Sequence, residues 1–222
     1  MFKEDAVEAY PLMVTVLNAL LSWTATRGRT GADLRSAISD VKVAGLRLLQ
    51  TDSIDVPLIE CFELARRAGI NMAQIEHVRV VASQQVAKSV GAIMTKDTLI
   101  ELALMTQGYL ISAMTFVSRQ DVDDVKNVIN AGFSAMEEEL ADQMDAMTYR
   151  AVIALHASIV MHLYETARPL PRMINFRFNQ ALPSVVMAHR LYADAGRADE
   201  LRRENKIVHP AFMAMRGKAL SS

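Results

Sequence analysis

The chain has 222 residues, with only six prolines and nine glycines against fourteen methionines and 51% hydrophobic residues. That suits one or two domains with a substantial core, and it favours helix over sheet. The net charge of -1 gives no overall reason to expect nucleic acid or membrane as partner, and the single cysteine, Cys61, excludes an internal disulfide framework and a cysteine-based zinc site.

The N-terminal MFKEDAVEAY is too acidic and polar for a secretion signal. Pro11 suits the first turn of a helix, where its missing N–H is not needed. Met13, Val16, Leu17 and Leu20 then recur on one face, and Gly28 ends the pattern. Trp23 reads as a core anchor. Thr30 is predicted to cap a second helix striped by Leu34, Ile38, Val41, Gly45 and Leu48, with Gly45 allowing a close helix–helix approach. Asp55 caps a third, with Pro57 in its first turn, Leu58, Phe62, Ala65 and Ala68 inward and Gly69 as its stop. Cys61 falls on its apolar side and reads as a buried thiol.

Asn71 and Gln74 form a capping-box pattern for a fourth helix through Ile75, Val78, Ala82 and Val86. A fifth is predicted over 96–117; its apolar run Leu99–Val117 is long enough for a bilayer but contains Glu101 and Gln107, and reads as a buried bundle helix. Ser118 with Asp121 opens a sixth through Val122, Val125, Ile129, Phe133, Met136 and Leu140. A continuous helix from there to Ala167 would be about 75 Å long, so a break is predicted near 142–145. A seventh helix then carries Tyr149, Val152, His156, Ile159 and Leu163. Short loops favour antiparallel neighbours, and residues 1–167 are predicted to form a multi-helix bundle.

The bundle offers no predicted metal or catalytic set. His156 and His162 fall on different faces, Glu76 and His77 diverge, and Ile153 stands where a ferritin-like Glu-x-x-His pair needs its carboxylate. The run Glu137–Glu139 reads as a solvated face. Met94, Met105, Met114, Met136, Met144, Met147 and Met161 read as core fillers.

Pro169 and Pro171 then stop the helical periodicity. Met173–Phe178 alternates Ile174, Phe176 and Phe178 against Met173, Asn175 and Arg177, as a half-buried strand should. Leu182-Pro183 opens a short helix through Val185, Val186, His189 and Tyr192. A second follows over 198–205 with Leu201 inward, and 212–220 returns as a strand, with Arg216-Gly217 as a turn. Residues 168–222 are therefore predicted to be a small α+β module of order βααβ. The charge divides at the same place: residues 1–167 carry 14 Lys/Arg and 21 Asp/Glu, and residues 168–222 carry 10 and 4. An acidic body with a basic end suits docking on acidic surfaces.

That order, with Leu201-x-x-x-Asn205 closing the second helix, resembles a LysM module. The stretch LPSVVMAHRLYADAGRADELRRENKIVHPAFM, preceded by ARPLPRM, resembles the C-terminal part of the Mu-like phage DNA circularisation (circulation) protein family. The resemblance covers about 149–220 and extends more weakly to 118–138. The family's N-terminal β-rich region has no counterpart, so the chain reads as a fragment or a shortened relative. Where glycan-binding LysM modules carry Gly-Asp-Thr-Leu, this chain has Asn179-Gln180-Ala181-Leu182, which weighs against peptidoglycan binding.

The resemblance implies a virion structural protein, located in the baseplate of a contractile phage or prophage tail and in the host cytoplasm during assembly. It would be a non-enzymatic adaptor that binds hub, tube or wedge components, in several copies per particle, without cofactor, metal or membrane span. Arg172, Arg177, Arg190, Arg197, Arg202 and Arg203 are the candidates for contact with acidic partner surfaces. Two alternatives are a peptidoglycan-binding module and a DNA-end-binding protein. For the latter, Phe176, Phe178 and Tyr192 are the only aromatics among the basic residues, and two of them should be core.

Overall fold

The computed structural model describes residues 1–24, 27–143 and 146–221. The chain is mainly helical and ends in a two-stranded antiparallel sheet. It divides into two compact units, residues 1–114 with 128–160, and residues 115–127 with 161–222.

In the first unit, α1 (Lys3–Trp23), α3 (Asp55–Arg67) and α4 (Met72–Ser83) pack around α5 (Val90–Ser112), and α2 (Gly28–Gln50) packs on α1 and α3. Helix α5 buries residues all round, from Ala92 and Leu99 to Ala103, Leu104 and Ile111, as a central helix must. Gly45 does allow a close approach: a Cβ there would lie 2.7 Å from the Met13 side chain of α1. Met13, Val16, Leu17 and Leu20 are all fully buried. At the head of α4, Asn71 and Gln74 form the reciprocal capping box.

Several boundaries depart from the sequence reading. Helix α1 begins at Lys3, so Pro11 lies inside it. The early turns are held by tertiary contacts instead: Ala6 and Ala9 are buried, and Glu8 accepts from the Lys88 and Ser89 N–H groups while Asp5 accepts from Gly91. These carboxylates sit at the N-terminus of α5, where unpaired donors and the helix dipole favour negative charge. That brings the start of α5 forward to Val90, with Ser89 as cap, and it ends at Ser112 rather than 117.

Gly28 opens α2 rather than closing α1, with Arg27 at the N-cap position in place of Thr30. Asp55 is the first residue of α3, not its cap. Val86 lies beyond α4 and is exposed. Trp23 is 45% exposed and leans on His77 at 4.5 Å, so it is no core anchor. Among the methionines, Met136 is buried, whereas Met94, Met105, Met147 and Met161 are exposed. Met144 lies outside the described residues.

Helix α6 (Arg119–Asp142) is opened by Ser118 and Asp121, each accepting from the other's backbone N–H. It stops at Asp142, and α7 (Ala146–Ala167) starts four residues on; Met144 and Asp145, within the predicted break, lie outside the described residues. The glutamate run is not simply solvated. Glu137 bonds His156 of α7, Glu139 pairs with Lys96 of α5, and Glu138 alone is exposed. By length and composition α1 and α7 could each cross a membrane. The apolar stripe of α1 is buried against its neighbours.

One acidic group of this unit has a markedly lowered pKa. Two arginines grip Glu63, and the Arg66 hydrogen bond first of all holds its carboxyl at about 2, below its ordinary 4.5. A depressed folded pKa gives stability that is complete above pH 4.5 and is lost as pH falls toward 2. The Glu63→Gln variant should therefore lose less stability than the parent between pH 7 and pH 3, measured by urea unfolding at both. Equal losses would remove Glu63 from the acid response. The effect is small because the pair is one-third exposed.

In the second unit the chain runs β1 (Met173–Arg177), α8 (Ser184–Tyr192), a 3₁₀ turn, α9 (Ala198–Glu204) and β2 (Arg216–Leu220), with β1 antiparallel to β2. The order strand, helix, helix, strand is the one predicted. The predicted boundary at 167/168 differs from the compact division. Arg119 explains why: its backbone N–H donates to Pro171, and its guanidinium to Leu170 and Arg168. The start of α6 thereby satisfies the carbonyls that follow α7.

Candidate docking face

The sheet of the second unit has two unlike faces because strand side chains alternate. One face supplies Phe176 and Ala219 to a core completed by Met187, Ala188, Ala198, Leu201 and Met213. Within α8 the buried residues are Ser184, Met187 and Ala188, whereas Val185 and Val186 are exposed. The predicted start at Leu182-Pro183 is right. Ile174 shares a face with Phe176 yet is 42% exposed.

On the other face, register places Arg177 directly opposite Arg216, and Asn175 opposite Lys218. Arg216-Gly217 is thus part of β2 and not a turn. All three cations are exposed, and none has an ion-pair partner among the described residues. Like charges directly opposite each other destabilise a strand pair. The pair is held in register by the ladder, which continues through Phe178 N–H to Met215 and Ser221 N–H to Arg172.

Asn205 sets the position of β2. It follows the last turn of α9, and its amide nitrogen donates to the carbonyls of Leu201 and Lys218 while its oxygen accepts from Lys218 N–H. The side chain thus acts as one more peptide unit beside the strand. Gly217 makes room for it: a Cβ there would fall onto the Asn205 oxygen and within 2.7 Å of the Phe176 ring.

The six predicted arginines fare differently. Arg197 forks onto Glu200 and stacks 3.8 Å from the Tyr192 ring centroid. Arg202 is tied to Asp199 and the Val208 carbonyl, and Arg203 donates to the Asp199 carbonyl. These three brace α9. The ion pairs of this segment are Arg197–Glu200 and Arg202–Asp199. Arg172, Arg177 and Arg190 remain unpaired among the described residues. Sequence reasoning missed Arg216 and Lys218, whose alternation with Gly217 and Ala219 is a two-residue period that the glycine disguised.

In the first unit, the carboxylate whose pKa burial raises is Asp97. It is 5% exposed; Gln143 bonds one oxygen at 2.8 Å, and Lys96 lies 3.9 Å from the other. Cys61 is fully buried, and burial pushes its thiol up to about 12. A thiol so protonated is no nucleophile at neutral pH. His156 stacks on Phe133, with one ring nitrogen on Glu137 and the other on Asn130. Among the described residues no three His, Cys, Asp or Glu side chains converge on a metal position. No family model matches the chain, and no curated protein matches it.

Proposed function

We propose that the second unit is a protein-docking module and that the chain is a non-enzymatic structural adaptor of a contractile phage tail baseplate. In this reading a LysM-like end grips hub, tube or wedge components. The observation that carries the docking is the opposed pair Arg177 and Arg216 with Lys218 beside it, a cationic sheet face without internal counter-charge. Carboxylates of a partner laid over that face relieve the repulsion, so association gains what the free module lacks. The tail assignment is supported by the resemblance over 149–220 and by the strand, helix, helix, strand order of the module.

The aromatics favour protein over nucleic acid. Phe176 is 7% exposed beneath the sheet, and the Tyr192 ring is covered by Arg197, so neither is open to stacking bases. The test is co-elution with a purified hub protein. The Arg177→Glu/Arg216→Glu variant should bind at least about tenfold more weakly, a change of about 1.4 kcal/mol. Undiminished binding would sink the docking face. Sedimentation with purified peptidoglycan would support the wall-binding alternative, and a salt-sensitive mobility shift with DNA ends the other.

A further inference from the structure

The first unit carries a surface of the opposite sign. A groove of about 530 Å³ runs between α2 and α3, with Val41, Leu48, Pro57 and Leu64 along its walls and Asp33, Asp40 and Glu60 at its rim. The three carboxylates are exposed and have no ion-pair partner among the described residues. Asp40 and Glu60 both act on Cys61, whose pKa they raise after burial has done so. Both carboxylates therefore lie within electrostatic reach of one buried point of α3.

From these two unmatched surfaces we infer that the chain self-associates head to tail, the cationic sheet face of one copy seated on the acidic groove of the next. Arg177 and Arg216 stand opposite each other across the strands, and Asp40 and Glu60 line the groove from α2 and α3. Lys218 is two residues from Arg216, about 7 Å along the strand. Asp33 is seven residues from Asp40, about 10 Å along the helix. The length of the lysine and arginine side chains spans the difference. Two different patches meeting in this way make a heterologous contact, which repeats into a ring or a filament. The inference rests on reading the sheet face as a protein dock and names a second copy of this chain as an occupant.

Sedimentation velocity decides it. The wild-type chain should form concentration-dependent oligomers at low salt, and these should dissociate near 0.5 M salt, where screening acts over roughly 4 Å. Arg177→Glu/Arg216→Glu should be monomeric, and so should Asp40→Lys/Glu60→Lys. An equimolar mixture of Arg177→Glu/Arg216→Glu with a chain whose groove is neutralised, Asp40→Asn/Glu60→Gln, retains the intact groove of the first and the intact sheet face of the second, and should give a dimer and nothing larger. Asp40→Asn/Glu60→Gln, which adds no new charge, should weaken association at least tenfold and covers the case of a misfolded reversal variant. A wild-type chain that stays monomeric, or a mixture that does, overturns the inference. If the wild type is monomeric but the sheet reversal still abolishes binding to a hub protein, self-association falls and the dock stands. If neither occurs, both fall.

Discussion

The Phe133→Ala variant is expected to lose about 3–5 kcal/mol of stability. Phe133 is fully buried in α6, and its ring lies 4.7 Å from His156 of α7 at an interplanar angle of 10°. Truncation removes a large apolar group and also exposes the His156 imidazole, whose nitrogens are bonded to Glu137 and Asn130. Packing and hydrogen bonding are coupled here, so the effects of Phe133→Ala and His156→Ala should sum to more than the loss in the double variant. Urea unfolding followed by circular dichroism measures all three. A loss below about 1 kcal/mol for Phe133→Ala would mean that the α6–α7 contact contributes little.

The second large effect is expected at Asn205. Alanine there removes three hydrogen bonds and leaves both backbone groups of Lys218 without their partner, at a cost of about 2–3 kcal/mol. Gly217→Ala should cost a similar amount by another route, since its methyl group displaces the Asn205 oxygen and crowds Phe176. Combined, the two substitutions should cost clearly less than their sum, because each breaks the same clamp. Thermal melting of the two single variants and the double variant reads this directly. Strict additivity would show that Asn205 does not hold β2.

The same clamp shows why the docking face was only half legible. Arg177 is readable as an exposed strand residue from the alternation of 173–178. Its opposite, Arg216, is not, because Arg-Gly reads locally as a turn. The glycine is required by a side chain twelve residues earlier, and that dependence has no local signature. Arg197 and Arg202 are engaged within the module for a related reason: acids three residues away, at Glu200 and Asp199, pair with them once α9 winds. In the same way Pro11 marks a helix start only until Glu8 and Asp5 find the head of α5 eighty and more residues away.

Local chemistry alone settled the mainly helical character, most of the apolar stripes of α1 to α4 and α6, the capping boxes at Asn71 and Ser118, and the strand, helix, helix, strand order of the C-terminal residues. These are decided within one or two turns of chain, by periodicity and by side chains that reach their own backbone. Only the tertiary structure decided where α1 and α5 begin, which face of α8 is buried, how 1–222 divides, and that Arg177 meets Arg216. Each of those depends on partners distant in sequence, and a charge or a glycine carries no local record of which partner it will meet.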